Sequence, residues 1–80
     1  MPGRLELYTR TGCHLCTEML EQARPIAARH GLTIELVDID ADPALRERHH
    51  TRVPVLLLDG HEICHHFLDR SALERALAAG

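Results

Sequence analysis

The stretch that decides the fold spans residues 5–16 and reads LELYTRTGCHLC. Its alternating apolar and polar positions predict a β-strand, Thr11-Gly12 interrupts that pattern, and a helical pattern then begins at the two cysteines. The first turn of a helix has unpaired backbone N–H groups and the positive end of the helix dipole, so it favours an anion at Cys13. Because the thiolate is the form of cysteine that attacks disulfides, this position favours a reactive thiol. Cys16 follows three residues later and lies on the same helical face, within reach of Cys13.

The composition indicates a single globular domain over residues 1–80. Hydrophobic residues make up 45% of the chain, which is normal for a folded protein, and 80 residues provide a core too small to divide. No apolar run approaches the ~20 residues of a membrane span, so we expect no membrane association. The net charge is −3 and the nine basic residues are all arginine, scattered along the chain. We therefore expect no nucleic-acid partner.

The number and context of the cysteines bear on the cellular compartment. The chain has three cysteines, and Met1-Pro2-Gly3-Arg4 leads directly into a strand pattern without the character of a signal peptide. An odd number of cysteines without an export signal argues against a framework of structural disulfides. We therefore expect a cytoplasmic protein, in which Cys-x-x-Cys beside a strand–helix pattern indicates a redox site or half of a metal site.

Hydrophobic periodicity predicts the elements of the first half of the chain. Alternation predicts a strand over Leu5–Thr9, and helical spacing of apolar residues then continues from His14 to about His30. Pro25 falls inside this helix and is expected to bend or divide it, because proline lacks a backbone donor. Gly31 ends the helix, and a second strand is predicted over Leu32–Ile39.

The third strand and its neighbours are predicted from local signals. Asp42-Pro43 provides an N-cap and a first helical position for a short helix over Pro43–His49. The apolar run Val53–Leu58 is typical of a strand that is covered on both faces. Asp59-Gly60 is a two-residue hairpin signal, and the return strand is predicted over His61–His66.

The last helix has two candidate starts, Asp69 and Ser71, and is predicted to continue to the C-terminus. Ser71 lies three residues before Glu74, which is the spacing of a capping box. The complete order is therefore β-α-β-α-β-β-α. The first strand–helix–strand unit is expected to be parallel and right-handed, and the final hairpin makes the sheet mixed. This order predicts an α/β fold with a mixed four-stranded sheet and helices on both faces.

This order, with Cys-x-x-Cys at the first strand–helix junction and Val53-Pro54 before the third strand, resembles the thioredoxin fold. The short length and the stretch from Tyr8 to Cys13, YTRTGC, are similar to the glutaredoxin branch in particular. The resemblance covers essentially the whole chain. It implies a thiol–disulfide oxidoreductase that acts on a protein or small-molecule disulfide and receives electrons from glutathione or from a thioredoxin-reductase-like donor. It also implies a monomer without a bound cofactor.

The resemblance assigns roles to the residues of the motif. Cys13 would be the nucleophile that forms a mixed disulfide, and Cys16 would be the resolving thiol that releases the reduced product. His14 would tune the redox potential by hydrogen bonding to the Cys13 thiolate, unless it is simply an exposed residue at the helix start. Pro54 would carry a cis peptide bond, as only X-Pro bonds do at low cost. The Val53 backbone would then be free to pair with the substrate, whereas the alternative is a trans proline.

Several further residues are candidates for substrate binding or for accessory roles. Arg10 and Arg52 flank the predicted site, where each could meet a carboxylate and Arg10 could instead stabilise the Cys13 thiolate. Either one alone is more typical of a solvated surface charge, but together at one site they favour a functional role. We also single out Tyr8, Cys64 and His65 as possible accessory residues. Tyr8 belongs to the stretch that leads to Cys13, and the resemblance places Cys64-His65 opposite the cysteine pair. The neighbouring pair His49-His50 is expected to be exposed, since it lies in a polar connection.

Two features differ from the families that the chain resembles. Glutaredoxins usually have a Gly-Gly pair after the fourth strand to receive the glutathione carboxylate, whereas this chain has Cys64-His65 there. This difference argues against glutathione as a co-substrate that binds in the usual way. Thioredoxins have a tryptophan beside the motif and a buried acid in the first strand. This chain has no tryptophan and has Leu7 at the position of that acid.

Alternatives remain for Cys64 and for the function as a whole. Cys64 either approaches Cys13 or is a small apolar residue in the sheet, and the second alternative fits the general burial of cysteine. The first functional hypothesis is the oxidoreductase. The second is a metal or iron–sulfur carrier, in which Cys64, His65 and His66 would join Cys13 and Cys16. Their spacing matches no standard zinc pattern and adjacent strand residues point to opposite faces, so we assign no metal ligand. The third is an interaction module without turnover, which would not require both Cys13 and Cys16.

Overall fold

A mixed four-stranded β-sheet with three α-helices forms the fold in the computed structural model, which describes residues 3–79. The predicted order β-α-β-α-β-β-α is confirmed, and a short 3₁₀ helix, Ile39–Ala41, precedes the second α-helix. The elements in chain order are β1 (Leu5–Thr9), α1 (His14–Arg29), β2 (Ile34–Asp38), α2 (Pro43–His49), β3 (Val55–Leu58), β4 (His61–His65) and α3 (Arg70–Ala79). Met1, Pro2 and Gly80 lie outside the described residues, as does the predicted continuation of the last helix into Gly80.

The strand directions bring the end of β1, the start of β3 and the end of β4 to the same edge of the sheet. The spatial order is β2-β1-β3-β4, with β1 parallel to β2 and antiparallel to β3, and β3 antiparallel to β4. Tyr8, near the end of β1, pairs with Val55 at the start of β3, and Val55 pairs with His65 at the end of β4. We call this side of the sheet, where β1 and β4 end and β3 begins, the cysteine edge, because β1 continues from it towards Cys13.

The main core lies between one face of the sheet and the helices α1 and α3. Leu5, Leu7 and Leu56 point to this face and are buried. The buried residues of α1 recur at helical spacing, and α3 adds one more: Cys16, Met19, Ala23, Ile26, Ala27 and Leu73. Full burial of a leucine side chain contributes about 1.5–3 kcal/mol, so the alternation in β1 and the helical spacing in α1 fix which faces meet.

The opposite face of the sheet is covered in part by α2, which confirms helices on both faces. Val55 and Leu57 are buried on this side, and the Tyr8 ring meets the His49 ring edge-on with centroids 5.1 Å apart. The expectation that His49 is exposed was wrong, since this contact half-buries it, whereas His50 is exposed. The Nδ1 atom of His49 is buried without a hydrogen-bond partner among the described residues. Burial, and next the charge of Arg52, lower the pKa of His49.

Strand β2 is shorter than the predicted Leu32–Ile39. Leu32 donates its N–H to the carbonyl of Ala27 at 3.0 Å, because the end of α1 is closed by a turn in which Gly31 has a φ of +71°. At the other end, the Asp38 carboxylate accepts the N–H of Asp40 at 2.9 Å and turns the chain into the 3₁₀ helix. Both ends of the strand are therefore set by capping contacts.

The interior of α1, the bounds of β3 and β4 and the turn between these strands can also be compared with the prediction. Helix α1 is not divided at Pro25, since buried residues on both sides of the proline pack against the same core. Strand β3 begins at Val55, two residues after the predicted Val53. Strand β4 ends at His65 because His66 has a φ of +66°, outside the strand region. The Asp59-Gly60 turn has positive φ at both residues, as a two-residue hairpin requires.

Among the described residues, no helix is both long and apolar enough to cross a membrane.

Asp69, not Ser71, caps the last helix. Its carboxylate accepts the N–H of Ala72 at 3.0 Å, and its carbonyl accepts the N–H of Leu73 at 3.1 Å. Glu74 instead pairs with Arg29 at 3.0 Å, so the predicted capping box with Ser71 is wrong.

We predict that Asp69→Ala lowers the free energy of unfolding by about 1 kcal/mol, because one orphan N–H loses its acceptor. Ser71→Ala is the matched control, since Ser71 is exposed and lies inside the helix, and it should leave the stability unchanged. Urea denaturation followed by circular dichroism measures both variants. A larger loss for Ser71→Ala than for Asp69→Ala would contradict the assignment of the cap.

A second prediction concerns the pH dependence of stability. The pKa of His49 in the folded state lies below its ordinary value of about 6.5, so near that pH the unfolded chain binds more protons. The neutral ring therefore contributes stability that is present above about pH 6.5 and is lost as the pH falls. His49→Phe keeps an aromatic ring on Tyr8 and cannot titrate, so its unfolding free energy should decrease less between about pH 7.5 and pH 5. His50→Phe, at an exposed position, is the control; equal pH profiles for His49→Phe and the wild type would refute the prediction.

Candidate functional site

Cys13 and Cys16 form a disulfide at the N-terminus of α1, with their Cα atoms 5.2 Å apart. Cys13 is the N-cap residue of the helix, and its Sγ accepts the backbone N–H of Cys16 at 3.1 Å. Its carbonyl accepts the backbone N–H of Thr17 at 3.3 Å. The sulfur therefore occupies the position where a capping oxygen would normally bind an orphan helix donor.

The two sulfurs differ in access to solvent. Cys13 is partly exposed, whereas Cys16 is 3% exposed and belongs to the buried face of α1. A disulfide exchange partner can thus reach Cys13 first, and Cys16 lies behind it, one helical turn into the protein. His14 is exposed at the first helical position, in agreement with the alternative in which it is a surface residue.

A shallow pocket of about 330 Å³ opens beside Cys13. The turn between β1 and α1 forms its floor, and Gly12 allows that turn with a φ of +78°. The residues that line it are Thr9, Arg10, Gly12, Cys13, His14 and Thr17. Arg10 is therefore placed beside the nucleophile candidate, as its position in the sequence predicted.

The Arg10 guanidinium is occupied by internal acceptors. Two of its nitrogens contact the two carboxylate oxygens of Asp40, at 2.8 and 3.2 Å, and a third contacts the carbonyl of His50 at 3.2 Å. The bidentate geometry fixes the plane of the guanidinium and neutralises its charge. This arrangement makes Arg10 part of the wall of the pocket. Three of its five N–H groups are engaged in this way, and a carboxylate ligand would meet a guanidinium whose charge Asp40 already balances.

The charge of Arg52 is also balanced by a carboxylate, on the other side of the cysteine edge, but here a single nitrogen makes the contact. Its Nη2 atom lies 2.6 and 2.8 Å from the carboxylate oxygens of Glu62, and the Glu62 carboxylate also lies 3.0 Å from Nδ1 of His65. These residues lie on the sheet face that α2 covers, because Glu62 pairs with Leu57 and His65 pairs with Val55. His65 thus contacts Arg52 and Glu62, away from the core face on which α1 packs.

Val53 and Pro54 precede β3 at the cysteine edge. The peptide bond between them is cis, and Pro54 is buried while Val53 is partly exposed. Since Val55 pairs with Tyr8, continuing the antiparallel register places Pro54 beside Thr9. The turn that follows β1 and contains Cys13 starts from this same edge.

Cys64 lies on the core face of β4, where it pairs with Leu56 and packs against the main core. It is a free cysteine, and burial raises the pKa of its thiol. It does not belong to the set of residues that line the pocket beside Cys13. The placement agrees with the alternative of a small apolar residue in the sheet. The register between β3 and β4 shifts beside it: Leu56 pairs with Cys64 and Leu57 pairs with Glu62, so the pairing skips one residue of β4.

From the sequence, His66 was considered only as a possible metal ligand beside Cys64 and His65, whereas the structure shows that it contacts the site through hydrogen bonds. Its N–H donates to the carbonyl of Pro54 at 2.8 Å, and its Nε2 lies 2.7 Å from the carbonyl of Thr51. The sequence shows two adjacent histidines, and nothing local distinguishes His66 from His65. His49 was likewise missed as a partner of Tyr8, which lies on the α2 side of the sheet and not against the cysteines.

The structure gives no additional ligands to a metal hypothesis. Within residues 3–79, no group of three or more His, Cys, Asp or Glu side chains is arranged to hold a metal ion.

Known structures share this arrangement of helices and strands. A protein from Nitrosomonas europaea, solved by NMR in solution, is 35% identical and superposes with a TM-score of 0.85 over 95% of this chain and 92% of its own. A protein from X. campestris, solved by X-ray crystallography, is 38% identical with a TM-score of 0.72 over 95% of this chain and 97% of its own. A mutant thioredoxin from Halobacterium salinarum is 22% identical with a TM-score of 0.63 over 98% of this chain and 74% of its own, which shows a shared fold.

Sequence comparison gives the family. An uncharacterized protein from Mycobacterium tuberculosis and another from Mycobacterium bovis are each 32% identical over 80 aligned residues, covering 94% of this chain and 82% of theirs. Residues 4–78 match the glutaredoxin-like domain family known as DUF836. With the thioredoxin-like fold and the Cys13–Cys16 pair in place, the chain belongs to this family of glutaredoxin-like domains.

Proposed function

We propose that the protein is a thiol–disulfide oxidoreductase whose Cys13–Cys16 pair cycles between dithiol and disulfide. The observation that carries the proposal is the position of Cys13. It is partly exposed, it caps α1 through its sulfur, and it lies within bonding distance of a buried second cysteine. A helix N-terminus stabilises an anion, so the Cys16 N–H, which the Cys13 sulfur caps, also supports the thiolate of Cys13.

The reaction consists of two exchanges. The Cys13 thiolate attacks one sulfur of the substrate disulfide, whose S–S bond breaks, and the leaving sulfur departs as a thiolate that takes up a proton. The Cys16 thiol then loses its proton and attacks the Cys13 sulfur of the mixed disulfide, which releases the second substrate sulfur as a thiol. The substrate gains two electrons and two protons, and the Cys13–Cys16 dithiol is oxidised to the disulfide.

The next turnover requires a reductant, which in this proposal is glutathione or a thioredoxin-reductase-like donor. The contacts of the two arginines bear on the choice of substrate and donor. Arg10 and Arg52 are each paired with an internal carboxylate, and Cys64-His65 occupies the position of the usual glycine pair. These contacts favour a disulfide in a peptide or protein, recognised through the backbone of Val53, over an anionic tripeptide held by the arginines. We place this activity in a cytoplasmic monomer.

The two cysteine substitutions should have different consequences. We predict that Cys13→Ser abolishes the reduction of insulin disulfides in a dithiothreitol-coupled assay, because the attacking sulfur is lost. Cys16→Ser should instead accumulate a mixed disulfide between Cys13 and the substrate, visible by mass spectrometry under non-reducing conditions. Cys64→Ser is the control and should retain the activity of the wild type. Full activity in Cys13→Ser would refute the mechanism.

The three thiols of the reduced protein should differ in reactivity. We predict that limiting iodoacetamide at pH 7 modifies Cys13 at least about tenfold faster than Cys64, as mapped by peptide mass spectrometry. Cys13 is partly exposed at a helix N-terminus, whereas burial raises the pKa of the Cys64 thiol and keeps it protonated. The rate at Cys64 should rise as the pH is increased to about 10. Modification of Cys64 ahead of Cys13 at pH 7 would contradict this order.

A further inference from the structure

His66 adopts an unusual backbone conformation at the end of β4. Its φ of +66° lies in the left-handed region, which only a few per cent of non-glycine residues adopt, although His, Asn and Asp do so more often than the others. Asp59 also has positive φ, but it belongs to the two-residue hairpin turn, which requires that conformation. His66 lies one residue beyond its strand, at the cysteine edge. An unfavourable conformation at such a place persists when surrounding contacts hold it, so the contacts of His66 are informative.

His66 holds both ends of the segment from Thr51 to Pro54. Its backbone N–H donates to the carbonyl of Pro54 at 2.8 Å, and its ring nitrogen Nε2 lies 2.7 Å from the carbonyl of Thr51. A carbonyl oxygen only accepts hydrogen bonds, so Nε2 is the donor and carries the proton. The two carbonyls are three residues apart, so His66 fixes the backbone on both sides of Val53.

Of the two residues between these carbonyls, Arg52 is held by hydrogen bonds and Val53 has backbone groups that are not used in the loop. Arg52 donates its backbone N–H to the carbonyl of His49 at 2.8 Å, and Glu62 holds its guanidinium. Val53 is partly exposed and takes part in none of the loop or turn backbone hydrogen bonds found among residues 3–79. Its N–H and C=O are the groups that the proposed function assigns to pairing with a substrate backbone.

We propose that His66 is a positioning residue that fixes the Thr51–Pro54 segment for pairing with the peptide backbone around a substrate disulfide. This inference rests on the proposed disulfide exchange at Cys13. The cysteine edge links the two features: Tyr8 pairs with Val55, so the chain enters β3 from Pro54 at the edge where β1 continues towards Cys13. Loss of the bond from the ring to Thr51 loosens the segment that orients a peptide. A small disulfide without a peptide backbone does not use that segment.

The test is a single-turnover reaction with the pre-reduced protein, run with two substrates: a cyclic disulfide peptide and bis(2-hydroxyethyl) disulfide. His66→Gly keeps the left-handed backbone available and removes the ring. For the peptide, the second-order rate constant should fall about three- to tenfold, the size of one lost hydrogen bond, with the change in half-saturation and not in the maximal rate. For the small disulfide it should change less than about twofold. His66→Gln, with an N–H donor at a similar distance from the backbone, should recover most of the loss.

His61→Gly is the matched control, because His61 is exposed at the opposite end of the same strand. It should leave the ratio of the two rate constants unchanged. Amide hydrogen exchange provides a second readout, and His66→Gly should accelerate exchange at Arg52 and at residue 66. An unchanged ratio in His66→Gly, or an equal loss for both substrates, would overturn the inference. A wild-type protein that reduces neither substrate would instead refute the proposed function itself, so the two failures are distinguishable.

Discussion

The antiparallel register between β1 and β3 is the constraint on which the site depends. Tyr8 faces Val55, and Leu7 faces Leu56, so the chain leaves β1 towards Cys13 where it enters β3 from Pro54. Parallel pairing would have placed these two segments at opposite ends of the sheet. The register is itself enforced by burial, because a slip of one residue would turn the leucines of β1 away from α1 and expose them to solvent. The hydrophobic core thus determines which backbone segment lies at the cysteine edge.

Two arginines at the cysteine edge form ion pairs with carboxylates of the same chain. Arg10 with Asp40 and Arg52 with Glu62 are about one-third to two-fifths exposed, and ion pairs with this exposure contribute little to stability. Their effect is geometric. Each pair joins two segments that are distant in sequence: the β1–α1 turn to the 3₁₀ helix, and the segment before β3 to β4. In addition, each arginine has its charge balanced inside the chain, so a ligand carboxylate has to compete with an acceptor that is already in place.

The parts of the structure that were predicted from sequence depend on residues a few positions apart. The cap at Asp42 and the turn at Asp59-Gly60 are local motifs, and the alternation in β1 reports directly which side chains face the core. The parts that were missed depend on contacts between distant residues. The ring of His66 meets a carbonyl 15 positions away, and His49 is covered by a tyrosine from β1. Leu32 was assigned to a strand from its apolar character, whereas its N–H closes a helix. A pattern of side chains does not show where a backbone donor is used.

In the proposed mechanism, the sulfur of Cys13 combines two functions that are usually separate, helix capping and nucleophilic attack. Sulfur is a weak acceptor when neutral, so a thiol or a disulfide sulfur caps the Cys16 N–H less well than an aspartate or serine oxygen would. A thiolate is charged, and hydrogen bonds to charged acceptors are stronger. In the reduced protein, loss of the proton from Cys13 therefore improves the cap of α1, so part of the helix stability favours the thiolate. Attack on a disulfide consumes that charge and weakens the bond to the Cys16 N–H. Cys16, whose backbone N–H loses this interaction, is the residue whose side chain reacts next in the proposed mechanism.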